Sequence, residues 1–364
     1  MLSPSMPPTA AYKSLADFTL ADLEALRLLL RGGSVIDWHR LNFETEAQVR
    51  EFLASQEIDL NDPADRARTE AVKNEAIAYL RRNFDFPIPK PVANADVAEL
   101  VEIASSKGHR QLCACTILKV MHIIHHIEAR ELLFMLPTSD EEIFHLVEQK
   151  VYRIIGGMLA QGFPIVEFIG GRKNKDSLYT KLLSKPEVTA AQIYDKLRFR
   201  VVTRTPEDVL PTLEYLVRHL FPFNYVIPGE SKNTLFHFHR YCEGHPRLKE
   251  LRAQLQLAPE VEDEQHGGSV DNLFSASSYR VVHFVVDMPV RLPDEMLAAA
   301  PPAAWALGRV IFVQSELQIL DQDTDHRNEL GDASHRAYKE RQMEAVTRRL
   351  KLGLSGERPD KKKG

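Results

Sequence analysis

The segment FVQSELQILDQ (Phe312 to Gln322) reads as a buried strand with a carboxylate at its centre. Glu316 and Gln318 share one face of it, while Leu317 and Ile319 face the other way. An ionised Glu in mid-sheet is costly unless it is paired or holds a metal, so Glu316 is expected to be functional. In SSYRVVHF, Tyr279 and His283 are four apart, which on a strand puts both on one face. A tyrosine ring there can stack a base and a histidine can bond a phosphate or sugar. Plain aromatic packing explains that pair about as well. In YDKLRFRVV, Asp195 comes just before a strand that carries Arg198 and Arg200 on one face. Such an Asp can hold Mg²⁺, and an Asp–Arg pair at a sheet end is the plainer alternative. GGRKNKDSLYTKLLSK gathers Arg172, Lys173, Lys175 and Lys181 around a glycine turn and a helix start, with Ser177 to cap or donate. Cations and backbone donors in that arrangement suit phosphate, although a solvated basic loop would look the same. His335, Tyr338 and Lys339 add polar groups on the closing helix.

The elements that must carry these residues follow from periodicity. From Leu15 to about Gly162 the patterns are helical: TLADLEALRLLLRGG with a Thr cap and terminal Gly pair, DPADRARTEAVKNEAIAYLRRNF, NADVAELVEIASS, an almost wholly apolar RQLCACTILKVMHIIHHIEARELLFML, and SDEEIFHLVEQKVYRIIGGMLAQG. Strands follow at FPIVEFIGG, LRFRVVT, FNYVI, SYRVVHFVVDMPV and RVIFVQSELQIL, with helices at KDSLYTKLLSK, TPEDVLPTLEYLVRHL and DASHRAYKERQMEAVTRRLKLG. The fold class is therefore α+β: a helical N-terminal region, then a mixed β-sheet flanked by helices. The expected division is a flexible segment 1–13, a helical domain 14–144, a sheet domain 145–350 with an irregular insertion at about 228–272, and a disordered tail 351–364.

The bulk numbers bound the rest. Across 364 residues the net charge is -5, so no global field draws the chain to nucleic acid. Cys113, Cys115 and Cys242 form neither zinc spacing nor a disulfide framework, which suits reduced thiols in the cytoplasm. The N-terminus lacks a signal-peptide pattern, and no stretch reads as apolar enough to span a bilayer, so no membrane partner is expected. His122, His125 and His126 read as polar positions on a packed helix rather than metal ligands.

Taken in chain order, these signals are more specific than any one alone. Ser-x-x-x-Lys in a basic loop, Asp-x-x-x-x-Arg, Tyr-x-x-x-His, Glu-x-Gln and His-x-x-Tyr-Lys resemble the synthetase domain of the RelA/SpoT family of (p)ppGpp synthetases, over roughly residues 145–345. The resemblance implies a nucleotidyltransferase-like sheet and Mg²⁺-dependent transfer of a pyrophosphoryl group from ATP to the 3′-hydroxyl of a guanine nucleotide. It implies Asp195 and Glu316 as metal ligands and, with Gln318, as the catalytic set. Lys173, Ser177 and Lys181 would hold ATP phosphates, with Arg172 and Lys175 beside them. Arg198, Arg200, His283, His335 and Lys339 would contact substrate, and Tyr279 would stack on guanine. The sequence departs from the pattern at Gly171, where the family has an Arg, at Ser278, where it has a Gly, and at Arg280, where it has a polar Gln. NYVIPGESKN matches the family's Asp-Tyr-Ile segment only loosely. These departures bear on the acceptor more than on the metal. Two alternatives stay open: the same chemistry on a tRNA 3′ end, and an inactive protein that binds a nucleotide or a partner.

Overall fold

Helix starts are written into the first half of the chain by its caps. In the computed structural model, which describes residues 12–33, 35–173, 175–184, 196–255 and 278–355, α1 (Leu20–Arg31) opens on a reciprocal box between Thr19 and Asp22. It closes on Gly32 at φ 64°, where a Cβ would lie 2.6 Å from that of Ser231. Then come α2 (Glu46–Ser55), α3 (Pro63–Phe84, capped by Asp62), α4 (Lys90–Ala93), α5 (Val97–Ser105), α6 (His109–Met135) and α7 (Asp140–Ala160, boxed by Ser139 and Glu142).

The second half alternates strand and helix: β1 (Ile165–Arg172), α8 (Lys175–Ser184), β2 (Leu197–Thr203), α9 (Val209–His219), β3 (Lys232–Asn233), α10 (Phe238–Gly244), α11 (Pro246–Gln254) and β4 (Val282–Arg291). It ends with α12 (Asp294–Ala298), α13 (Pro302–Trp305), β5 (Val310–Asp321), α14 (Gln322–Asn328) and α15 (His335–Ser355). The sheet order is β1-β2-β5-β4-β3; β2 and β5 are parallel and the other neighbours antiparallel. Leu197, Phe199 and Val201 lie on the core face with Phe284, Leu317 and Ile319, all buried. That core is continuous with the buried Leu23, Leu26 and Leu29 of α1 and Leu100 and Val101 of α5. The opposite face carries Arg198, Arg200, Glu316, Gln318 and His283. At one end α6 covers it: the His126 ring stacks on Phe312, centroids 4.1 Å apart.

Several expectations need correction. FNYVI is not a strand. Phe223–Tyr225 form a single 3₁₀ turn after Pro222, and only Val226 bridges to Val286. The turn buries the Tyr225 ring and lets its hydroxyl donate to Gln56 Oε1 at 3.1 Å. The segment read as irregular holds β3, α10 and α11 up to Gln254; Pro246 opens α11, whose buried Leu248 and Leu251 are too few to show periodicity. Residues 256–277 lie outside the described residues, as do 1–11 and 356–364. Tyr12 and Lys13 are not loose: the Tyr12 ring packs edge-on against Phe163 and Lys13 pairs with Asp22. The Gly170–Gly171 pair makes no turn, because β1 runs through it. Gly170 instead admits Phe199 and Tyr152, both 3.0 Å from where its Cβ would be. Finally, α6 is long and apolar enough to cross a membrane by length and composition, contrary to the sequence reading; here its Cys113, Cys115 and Ile117 all pack in the core.

One buried acid makes the fold pH-sensitive. Glu214 on α9 is 3% exposed. Burial, then the negative charge of Asp22, push its carboxyl up to about 7, while Arg218 and Lys13 pull against the rise. A folded pKa above the unfolded one stabilises the native state at low pH. That stability is lost as pH rises from the unfolded value of 4.5 through about 7. Glu214→Gln is expected to match the native chain at pH 5 and to exceed it at pH 8 by on the order of 2–3 kcal/mol in urea denaturation. Equal stability of the two proteins at pH 8 would refute this.

Candidate functional site

Register brings the polar residues together. Across β1, β2, β5 and β4, Gly171 pairs with Arg198, Arg198 with Glu316, and Glu316 with Val285. One step on, Arg200 pairs with Gln318, Gln318 with His283, and His283 with Lys232. Because β2 and β5 are parallel neighbours, both arginines stand beside the carboxylate of Glu316 and the amide of Gln318. A Cβ on Gly171 would meet nothing within 4 Å, so the space over this patch is open on that side.

Glu316 is 5% exposed. Its Oε1 accepts from Gln318 Nε2 at 2.7 Å and lies 3.3 Å from His283 Nε2. Burial alone would raise its pKa. The hydrogen bond and charge of His283, then Lys173 and Arg198, overcome this and hold the carboxyl well below the usual range. Glu316 is therefore an anion at any physiological pH. Arg200 Nη2 lies 2.5 Å from Asp325 Oδ1 on α14, an ion pair without hydrogen-bond alignment. Arg200 Nε is a buried donor with no hydrogen-bond partner among the described residues.

Tyr279 reaches the same place by a different route. It does not stand on a strand with His283, as its spacing suggests: β4 begins at Val282. Its segment is held by side chains instead. Asn328 accepts from Arg280 N at 3.0 Å and donates to Arg280 O at 2.7 Å, while Thr234 Oγ1 donates to Tyr279 O and accepts from Val281 N. Burial raises the pKa of the Tyr279 hydroxyl. Arg200 and Arg198 act against the rise, and Glu316 and Asp325 add to it, so the hydroxyl lies within reach of all four charges. Asn328→Ala strands both backbone groups of Arg280, and we expect a loss of about 1–3 kcal/mol in urea denaturation. Asn328→Asp should recover only the half that accepts from Arg280 N. An unchanged midpoint for Asn328→Ala would show that the clamp holds nothing.

The structure thus gathers Lys173, Arg198, Arg200, Tyr279, His283, Glu316 and Gln318. Lys175, Ser177 and Lys181 stand on α8, the helix that follows Lys173; Lys339 and the backbone of His335 open α15, which packs on α8 through Gln342 and Ser184. Asp195 lies outside the described residues. Arg172 does not join the cleft. It pairs with Leu197 in register, hence on the core side, and its guanidinium meets Glu148 of α7 at 2.8 and 2.9 Å. Asp325, Asn328 and Thr234 were not foreseen. The acidic start of α14 directly after β5 is the one local signal for Asp325.

Among the described residues no three His, Cys, Asp or Glu side chains cluster to hold a metal. His122, His125 and His126 of α6 stay neutral: burial first, then neighbouring charges, holds His122 well below its usual range and lowers His125 to about 3; for His126 burial alone lowers it, to about 4. Glu316 does have the character a hard cation needs, an ionised oxygen donor in a polar cleft. The arrangement can bind a polyanion, orient a hydroxyl against a fixed carboxylate, and take a planar ring against Tyr279.

No protein-family model matches the sequence, and no curated protein matches it. Solved structures with likeness include small alarmone synthetase 2 from Bacillus subtilis: 18% identity over 62% of this chain and 97% of that one, TM-score 0.30. Small alarmone synthetase 1 from Bacillus subtilis, bound to its product pppGpp, matches at 16% identity over 59% of this chain and 87% of that one, TM-score 0.30. A GTP pyrophosphokinase family protein from Streptococcus pneumoniae matches at 15% identity over 58% and 86%, TM-score 0.30. At these scores the weight of a functional argument falls on the side chains.

Proposed function

We propose that the protein is a nucleotide pyrophosphokinase that moves a pyrophosphoryl group from ATP to the 3′-hydroxyl of a guanine nucleotide. The observation that carries this is Glu316: a buried, ionised carboxylate among His283, Lys173 and Arg198, within reach of the Tyr279 hydroxyl. The order of residues along the chain, which resembles that of RelA/SpoT synthetases, supports it.

In this reading the acceptor base stacks on Tyr279 and its 3′-hydroxyl donates to Glu316. The hydroxyl oxygen attacks the β-phosphorus of ATP, the bond from that phosphorus to the α–β bridging oxygen breaks, and AMP leaves. Lys173, Arg198 and the unpartnered Nε of Arg200 meet the phosphate oxygens. Once phosphates engage these cations they stabilise the Glu316 anion less. Its basicity then rises toward that of a group able to take the hydroxyl proton. Mg²⁺ held by Glu316 and Asp195 would offset charge on the transferring phosphoryl oxygens. The buried free thiols suit a reducing compartment such as the cytoplasm.

Labelled ATP incubated with GDP, GTP or bulk tRNA tests this. Label appearing on the guanine nucleotide only with Mg²⁺ present is the expected result. Label on the tRNA 3′ end would transfer the chemistry to the alternative acceptor, and binding without transfer to any acceptor would end the enzymatic reading.

A further inference from the structure

A second void, in the described part of the molecule, contains none of the residues of that cleft. It lies between α3, α6 and the α12–α13 excursion, has a volume of about 460 Å³, and is open on one side. That size falls within the usual range of small-molecule pockets. Protein interiors are close-packed, and voids much larger than a water are few, so an apolar hollow of this volume is a candidate binding site. Its walls are mainly hydrocarbon and aromatic: Trp38, Phe52, Leu118, Met121, Leu297 and Trp305.

Polar side chains interrupt those walls, among them Asn224, Arg68 and His125. Asn224 is 6% exposed; its Nδ2 meets His122 Nδ1 at 3.2 Å, and its Oδ1 is buried with no partner. Arg68 pairs with Glu128 through Nη2, yet its Nε is buried with no partner. His125 is neutral and lies edge-on to Phe312. One unmet acceptor and one unmet donor therefore line a single cavity. The lining acids, Glu57, Asp65 and Asp294, are paired with Lys150, Arg291 and Arg309, and Arg68 is paired with Glu128. With no unmatched charge in the wall, an ionised ligand would be desolvated without compensation.

We propose that this cavity binds a neutral, largely hydrophobic small molecule whose one hydroxyl or amide-type group both donates to Asn224 and accepts from Arg68. The two tryptophans of the chain, Trp38 and Trp305, both line it, so intrinsic fluorescence reports its occupancy directly.

The test uses the full chain and the neutral fluorescent amine N-phenyl-1-naphthylamine. The expected result is saturable binding of one probe per chain with micromolar affinity, quenching of tryptophan emission, and displacement by 1-decanol but not by decanoate. Val72→Phe, which fills the cavity, should weaken binding by roughly tenfold or more. So should Ala298→Phe at its exposed rim, a change that leaves the core intact should Val72→Phe fail to fold. Non-saturable binding, equal displacement by decanoate, or unchanged affinity in the folded rim variant would each overturn the proposal.

Discussion

Glu316→Gln should lower the rate of pyrophosphoryl transfer by about 10²–10⁴-fold, the span expected for loss of a positioned proton acceptor, while the chain stays folded. The substitution keeps the shape and a carbonyl oxygen, so Gln318 Nε2, now 2.7 Å from Oε1, still has an acceptor. What is lost is charge. The carboxylate is anionic because His283, Lys173 and Arg198 outweigh its burial, and an amide gives Lys173 and Arg198 no counter-charge and takes no proton. A single-turnover measurement with labelled ATP and saturating acceptor reads the chemical step directly. The competing account, a structural ion pair inside the sheet, predicts the opposite split. Stability would fall, because the cations are left unmatched, and the rate in the surviving folded fraction would hold. A native rate in folded Glu316→Gln protein would remove the residue from the mechanism. Loss of rate together with a preserved urea midpoint would exclude the structural account.

Glu316 was legible because burial of a carboxylate has a cost that one strand exposes. The alternation of LRFRVVT gave β2 its observed bounds, since Leu197, Phe199 and Val201 are buried and Arg198 and Arg200 are not. Tyr279 was placed near the right neighbours for an incomplete reason. Period-two spacing says which residues share a face of an extended chain, not where pairing begins. Here side chains from Thr234 and Asn328, distant along the chain, replace the ladder. Asp325 was hidden for the same non-local reason. QDTDHRN looks like any acidic helix start, and its ion pair with Arg200 exists because β2 and β5 lie parallel and adjacent. Arg172 misled by adjacency: it neighbours Lys173 in sequence, but one residue along a strand is the other face of a sheet. The Trp38–Trp305 cavity had no sequence signal, since its walls come from segments far apart along the chain.

Replacing the ring of Tyr279 should raise the acceptor KM and spare that of ATP. Base–aromatic stacking is worth about 1–3 kcal/mol per base, so Tyr279→Leu is expected to raise the KM of the guanine nucleotide by roughly 5- to 150-fold. Tyr279→Phe keeps the ring and should stay near the native value. The asymmetry comes from position. Tyr279 lies ahead of β4, held by Asn328 and Thr234, while the cations Lys173, Arg198 and Arg200 belong to the β1–β2 side of the cleft. Its hydroxyl does reach the charges of Arg198, Arg200, Glu316 and Asp325. If the hydroxyl rather than the ring did the work, Phe would fail as badly as Leu. If the residue only braced the segment, both variants would lower the urea midpoint and raise the two KM values together. Stacking alone separates Leu from Phe and acceptor from ATP, and a Leu variant with an unchanged acceptor KM would show that the base binds elsewhere in the cleft.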